Sequence, residues 1–207
     1  MPKIGLALSG GGFRATLYHL GIVRFLRDAG ALKDVTHITS VSGGSILAAH
    51  LVLNWDRYNG EPEEFEKAAK EVLDFVRLDV RNRIVRRYPF AVLATAPRWI
   101  ARRPVNRRYT RAGMLEHFYK KHLYGDTCLY ELPERPELHI LATNLSEGCI
   151  TSFTRSGLIM QRRLPGDRVQ FERIQAGLTT VPLAVAASSE FPGFFPPIQL
   201  HSGDIGA

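Results

Sequence analysis

The chain has 207 residues, 45% of them apolar and 23% charged, which supplies a core for one domain and is too apolar for a disordered segment. Its two cysteines, Cys128 and Cys149, form no CxxC pair and no cluster with metal-ligand spacing, so neither a disulfide framework nor a zinc site is expected. No cofactor or metal is called for. Met1-Pro2-Lys3 leads into a run too short and too glycine-rich for a signal-peptide core, so the expected location is cytoplasmic.

In chain order, Ile4–Leu8 is a short apolar run stopped by glycines, as in a buried parallel strand, and residues 15–29 follow with helical spacing of Leu17, Leu20, Val23 and Leu26. Gly30 fits a C-terminal cap. Val35–Val41 is β-rich and runs into Ser42-Gly43-Gly44, after which residues 45–53 are apolar on nearly all sides, the pattern of a buried helix. Glu61-Pro62-Glu63-Glu64 suits a first helical turn, and Phe65, Ala68, Val72, Phe75 and Val76 mark the inward stripe behind it.

The net charge of +7 is concentrated, because eleven arginines lie between Arg77 and Arg111. Pro89, Pro97 and Pro104 fall in this stretch and predict short helices and loops, an insertion or lid over about residues 77–111. Its uncharged segment, residues 88–97, is far short of the ~20 residues a membrane span needs. A helix is expected over residues 110–123, a strand over 138–143, a hairpin of 150–153 with 158–161, and a helix over 181–189 halted by Phe191-Pro192-Gly193. Strands alternating with helices predict an α/β layered sheet, mostly parallel, with helices on both faces.

Two glycine-rich turns carry the chemistry, both at the carboxyl ends of predicted strands, where parallel α/β sheets place their sites. Ser40-Val41-Ser42-Gly43-Gly44 sets a serine at a strand-to-helix turn with Ser40 and Gly44 two places to either side, small enough for strained backbone to pass. It departs from G-x-S-x-G in having Ser40 in place of the first glycine. Ser9-Gly10-Gly11-Gly12-Phe13-Arg14 exposes successive backbone N–H groups with no side chains in the way, as an oxyanion hole requires. Arg14 supports that loop or meets a phosphate head group. A nucleotide loop is disfavoured, since no Gly-Lys-Ser/Thr follows and G-x-G-x-x-G spacing is absent.

The blocks Ile4–Ala15 and Ser40–Ser45, with Leu141–Gly148 and Ala186–Pro197, resemble the patatin-like phospholipase family across nearly the whole chain, the arginine-rich middle excepted. The resemblance implies a three-layer α/β/α fold and hydrolysis of lipid acyl esters by a serine–aspartate dyad without a triad histidine. Ser42 would then be the nucleophile, and Gly10, Gly11 and Gly12 the oxyanion hole. The family's aspartate stands in an Asp-Gly-Gly or Asp-Gly-Ala motif shortly after the Phe-Pro-Pro block. Asp204 lies in that region, but Ile205 replaces the glycine, so the single domain is expected to lack its C-terminal part.

Acyl transfer by the same intermediate, and an inactive lipid- or membrane-binding module, stay open as alternatives. His50, His139, His201 and His19 read as core, edge or packing residues before catalytic ones, and Asn144 as either a site-lining or a turn residue. The expected partner is a lipid or acyl ester. For the arginine stretch, peripheral contact with an anionic membrane through Tyr88, Phe90, Leu93, Trp99 and Ile100 stands beside a plain solvated lid. No nucleic-acid signature accompanies it.

Overall fold

A computed structural model describes residues 3–101, 106–164, 166, 168–190 and 195–205. Arg102, Arg103, Pro104 and Phe191-Pro192-Gly193, and the side chain of Trp99, lie outside what is described. Six strands form one sheet in the order β1 (Ile4–Leu8), β2 (Val35–Val41), β3 (Glu137–Asn144), β4 (Cys149–Thr154), β5 (Gly157–Leu164), β6 (Arg168–Ile174). Eight helices are described: α1 (Gly12–Asp28), α2 (Gly43–Leu53), α3 (Trp55–Asn59), α4 (Pro62–Arg77), α5 (Val80–Ile100), α6 (Arg111–Tyr119), α7 (Val181–Ser189) and α8 (Ser202–Ile205).

The α/β class is as expected, and the sheet divides in two. β1, β2 and β3 pair in parallel, whereas β3–β4, β4–β5 and β5–β6 are antiparallel. Connection length explains the division. Parallel neighbours need a crossover of a dozen residues or more, and the links after β3, β4 and β5 are only a few residues each. The mostly parallel sheet of the sequence reading therefore holds over the half that carries the glycine turns. β6 was not expected, although Arg168-Val169-Gln170-Phe171 alternates polar and apolar residues.

Of the three expected layers, two are present among the described residues. Ile38, Ser40, Leu138 and Ile140 point to one face and are buried beneath α2 and α7, while Gly5, Ala7, His37 and Val41 on the alternate face are exposed. Both parallel crossovers advance in the same direction, from β1 to β2 to β3, and right-handed crossovers of that kind put their helices on one side.

α2 is buried on every side, as its composition predicts, because it lies between the sheet and α1. α1 ends as expected: Gly30 has φ 70°, its N–H bonds to the Arg27 carbonyl, and the Ala31 N–H bonds to the Leu26 carbonyl, a Schellman closure. Phe75 of α4 joins the crossover helices, with ring centroids 5.9 Å from Phe13 and 5.6 Å from Tyr119.

One expectation is corrected. Pro89 and Pro97 do not break the arginine-rich stretch into pieces; both lie inside the 21-residue α5. Each proline removes one N–H and frees the carbonyl four residues back, those of Val85 and Leu93. Both of these residues, and both prolines, are exposed, which leaves the freed carbonyls on the side of the helix open to solvent. On the inner side Val80, Ile84 and Ala91 are buried and hold the helix against the body.

Phe75→Ala is expected to cost about 3–5 kcal/mol, the range for removing a buried aromatic side chain, measured by urea unfolding. A loss under about 1 kcal/mol would show that α1, α4 and α6 are not joined through this ring.

Candidate active site

Strand register brings the two glycine turns together. Leu8 pairs with Ser40 in the β1–β2 ladder, so the residues that follow, Ser9–Gly12 and Val41–Gly44, leave the sheet side by side. Glycine is required where they touch. A Cβ on Gly43 would overlap the backbone of Gly12, and one on Gly44 would lie 2.7 Å from the Ser9 carbonyl oxygen. A Cβ on Gly10 would be 3.4 Å from that of Ser42. The loop itself turns through Gly11 (φ 141°) and Gly12 (φ 63°), values that side chains resist.

Ser42 is the N-cap of α2 and has φ 52° and ψ −121°. Apart from Asp79, it is the one non-glycine residue with positive φ among the described residues. Such a conformation costs on the order of 1–3 kcal/mol and persists only where its surroundings impose it. The surroundings here are specific. The Ser42 N–H donates to Ser188 Oγ at 2.9 Å, and Ser188 Oγ–H donates to the Leu141 carbonyl at 2.6 Å, tying the turn to α7 and β3. Ser45 Oγ lies 2.9 Å from Ser188 Oγ and 3.1 Å from Ser40 Oγ. Ser40 is thus buried in the elbow's support, which a glycine there would not provide.

From the other side, Thr16 Oγ1 donates to the Gly43 carbonyl at 2.7 Å. His19 Nε2 lies 3.0 Å from the Ser9 carbonyl, which only accepts, so the proton sits on that nitrogen and the ring anchors the entrance to the glycine loop. Ser188, Ser45, Thr16 and His19 form the frame of the elbow. Of these the sequence reading gave only His19 a packing role; Ser45 and Ser188 are small hydroxyls inside the apolar, buried α2 and α7, and Thr16 lies on the buried stripe of α1. Arg14 is exposed on the first turn of α1, and no hydrogen bond from its guanidinium to the loop occurs among the described residues.

The remaining candidates have other partners. Asp204 Oδ2 accepts from Arg107 at 2.8 Å and from the His201 N–H at 2.9 Å, and Arg107 also meets Glu116 at 3.2 Å. Burial would raise the Asp204 pKa, but Arg107 and the His201 N–H outweigh it and hold the carboxyl below its ordinary range. His50 is buried between Tyr58 Oη and Glu71, and burial pushes its pKa down. His139 contacts Ser152 and Glu137, and Asn144 closes a turn by accepting from the Ser146 N–H. Both cysteines are free, and no cluster of metal-ligand residues occurs among the described residues.

The patatin-like phospholipase profile aligns with residues 6–204. The chain belongs to the patatin-like phospholipase family. Over 52 residues this patatin-like chain is 40% identical to a Saccharomyces cerevisiae protein named as a candidate meiotic phospholipase, covering 25% of this chain and 8% of that one. Human GIVD cytosolic phospholipase A2, solved in complex with methyl gamma-linolenyl fluorophosphonate, superposes with a TM-score of 0.58 at 18% identity. A second structure of that human enzyme gives 0.51 at 18%. Each covers 91% of this chain, which in turn spans 28–29% of theirs. These likenesses carry the fold.

Two predictions arise from the frame. Ser188→Ala leaves the Ser42 N–H without its acceptor and is expected to cost about 1–3 kcal/mol in denaturant unfolding; no loss would show that this bond does not hold the elbow. Glu190, just past α7, has its pKa pushed up to about 7 by burial, against the Ile198 N–H that favours the carboxylate. The folded state therefore holds this proton up to about pH 7, whereas the unfolded chain loses it near 4.5, so stability falls as pH rises through that window. Glu190→Gln should raise the Tm at pH 8, with the gain fading toward pH 4; a gain independent of pH would refute the assignment.

Proposed function

We propose that this chain is a serine-dependent acyl hydrolase of lipid esters. The observation that carries the reading is the contact between the Ser42 elbow and the Gly10-Gly11-Gly12 loop. Ser42 Oγ attacks the ester carbonyl, and the backbone N–H groups of the glycine loop, with the N-terminus of α2, stabilise the tetrahedral oxyanion. Its collapse expels the alcohol, which takes up a proton, and leaves an acyl-serine that water hydrolyses. The hydroxyl proton passes to a carboxylate, the second member of a Ser–Asp dyad. Arg14, exposed beside the loop, faces the phosphate of a bound phospholipid.

The pairing of Leu8 with Ser40, which delivers both turns to one sheet edge, supports this reading. No helix among the described residues is long and apolar enough to cross a membrane, so contact with lipid in this reading is peripheral. A second reading, a non-catalytic lipid-binding module, is favoured by one observation: the Asp204 carboxylate is neutralised by Arg107.

An alkyl fluorophosphonate separates the two. The hydrolase reading expects covalent labelling of the protein that Ser42→Ala abolishes while the Tm stays close to that of the parent. Labelling unchanged in Ser42→Ala would remove the nucleophile, and no labelling of the folded protein would favour the binding module.

A further inference from the structure

From the structure we infer that the outward face of α5 is a docking surface for an anionic membrane, inserting its apolar half among the acyl chains while arginines at both ends meet the head groups. This deepens the lipid-hydrolase reading by naming where the protein meets the lipid phase, and rests on it only for the purpose of the contact.

The inward positions of α5, Val80, Ile84 and Ala91, are spaced by four and seven residues, one and two helical turns, and fix which side faces out. On the outward side, Phe90, Leu93 and Ile100 are 73–76% exposed, and Pro89 and Pro97 lie among them. Single exposed apolar residues are ordinary, but these form one stripe along about three turns, with no charged residue from Tyr88 to Pro97 on any side of the helix. Exposed Arg83 and Arg86 precede the stripe, and exposed Arg98 lies in its last turn, between Pro97 and Ile100. From Val80 to Leu115 the sequence has ten arginines and no acidic residue.

The surroundings extend the same charge. His117 and His122, beyond α5 on and after α6, are held below the ordinary histidine range by partial burial and by Arg108, Lys120, Lys121, Arg83 and Arg87 around them. Glu116 and Asp126 on this side are engaged by Arg107 and Lys120. The result is a cationic surface with an apolar ridge on it. Charge complementarity selects the occupant. A second copy would bring like-charged arginines together, and a nucleic acid would leave the ridge in water; an interface of anionic head groups over hydrocarbon satisfies both parts, with arginine stems lying along the apolar layer.

The test is cosedimentation of the full chain carrying Ser42→Ala, so that hydrolysis plays no part, with vesicles of phosphatidylcholine alone or of phosphatidylcholine mixed with anionic phosphatidylserine. Two triple variants are compared, Phe90→Ser/Leu93→Ser/Ile100→Ser and Arg83→Gln/Arg86→Gln/Arg98→Gln. All six positions are exposed, and an unchanged Tm confirms the fold. Binding to the anionic vesicles is expected to exceed that to neutral ones, to weaken with salt, and to fall roughly a hundredfold in the arginine variant, at about fivefold for each of the three charges lost. The serine variant is expected to lose roughly a hundredfold or more, at about a fivefold loss or more for each of the three inserted side chains. Equal binding to both vesicles, or unchanged binding by the serine variant, would overturn the proposal. So would absence of vesicle binding with self-association that the serine variant abolishes, which would assign the ridge to a second copy. Hydrolysis of a water-soluble short-chain ester by the parent reports on Ser42 separately.

Discussion

The Gly12 backbone lies where a side chain on Gly43 would have to be, and that backbone-on-backbone contact sets the rest of the site. It is possible only because β1 and β2 are parallel and in the register that pairs Leu8 with Ser40, so that both strands deliver their turns to the same sheet edge. From it follow the left-handed conformation of Ser42, the start of α2 directly behind the serine, and the exposure of the glycine loop beside it. The strain in Ser42, on the order of 1–3 kcal/mol, is comparable to what the Ser188 and Thr16 hydrogen bonds can offset at about 1 kcal/mol each. Neither bond touches the reacting atoms. Both restrict where those atoms can be.

Much of this was legible in the sequence for a definite reason. Glycines repeated between a strand and a helix have few structural explanations, so Gly10–Gly12 and Gly43-Gly44 revealed the turns, and the apolar runs around them revealed the strands and the buried helix. The supporting hydroxyls were hidden because Ser188 and Ser45 sit among small apolar residues, and their bonding partners lie more than 140 positions away or depend on register. Ser40 shows the limit well: as a departure from a short motif it weakened the reading, yet in the fold it is a buried part of the elbow's hydrogen-bond network.

The arginine-rich stretch was misread for a physical reason too. Proline disfavours helix by removing a donor and crowding a carbonyl, but the penalty is local and water can offset it on an exposed side. Sequence shows Pro89 and Pro97; it does not show that both face outward. Likewise, a sheet expected to be mostly parallel from alternating elements became antiparallel wherever the connections were too short to cross over, a constraint that linker lengths alone contained.

The central claim is that Ser42 and the glycine loop act as one unit. Its most direct test is the position of the acyl group after a rapid acid quench of the protein with an activated short-chain ester, read by peptide mass spectrometry in the parent and in Gly43→Ala. An acyl group is expected on Ser42 in the parent and is expected to be lost in Gly43→Ala, where the new methyl group forces the two turns apart. Acylation at another residue, or equal acylation of Ser42 in both proteins, would contradict the claim.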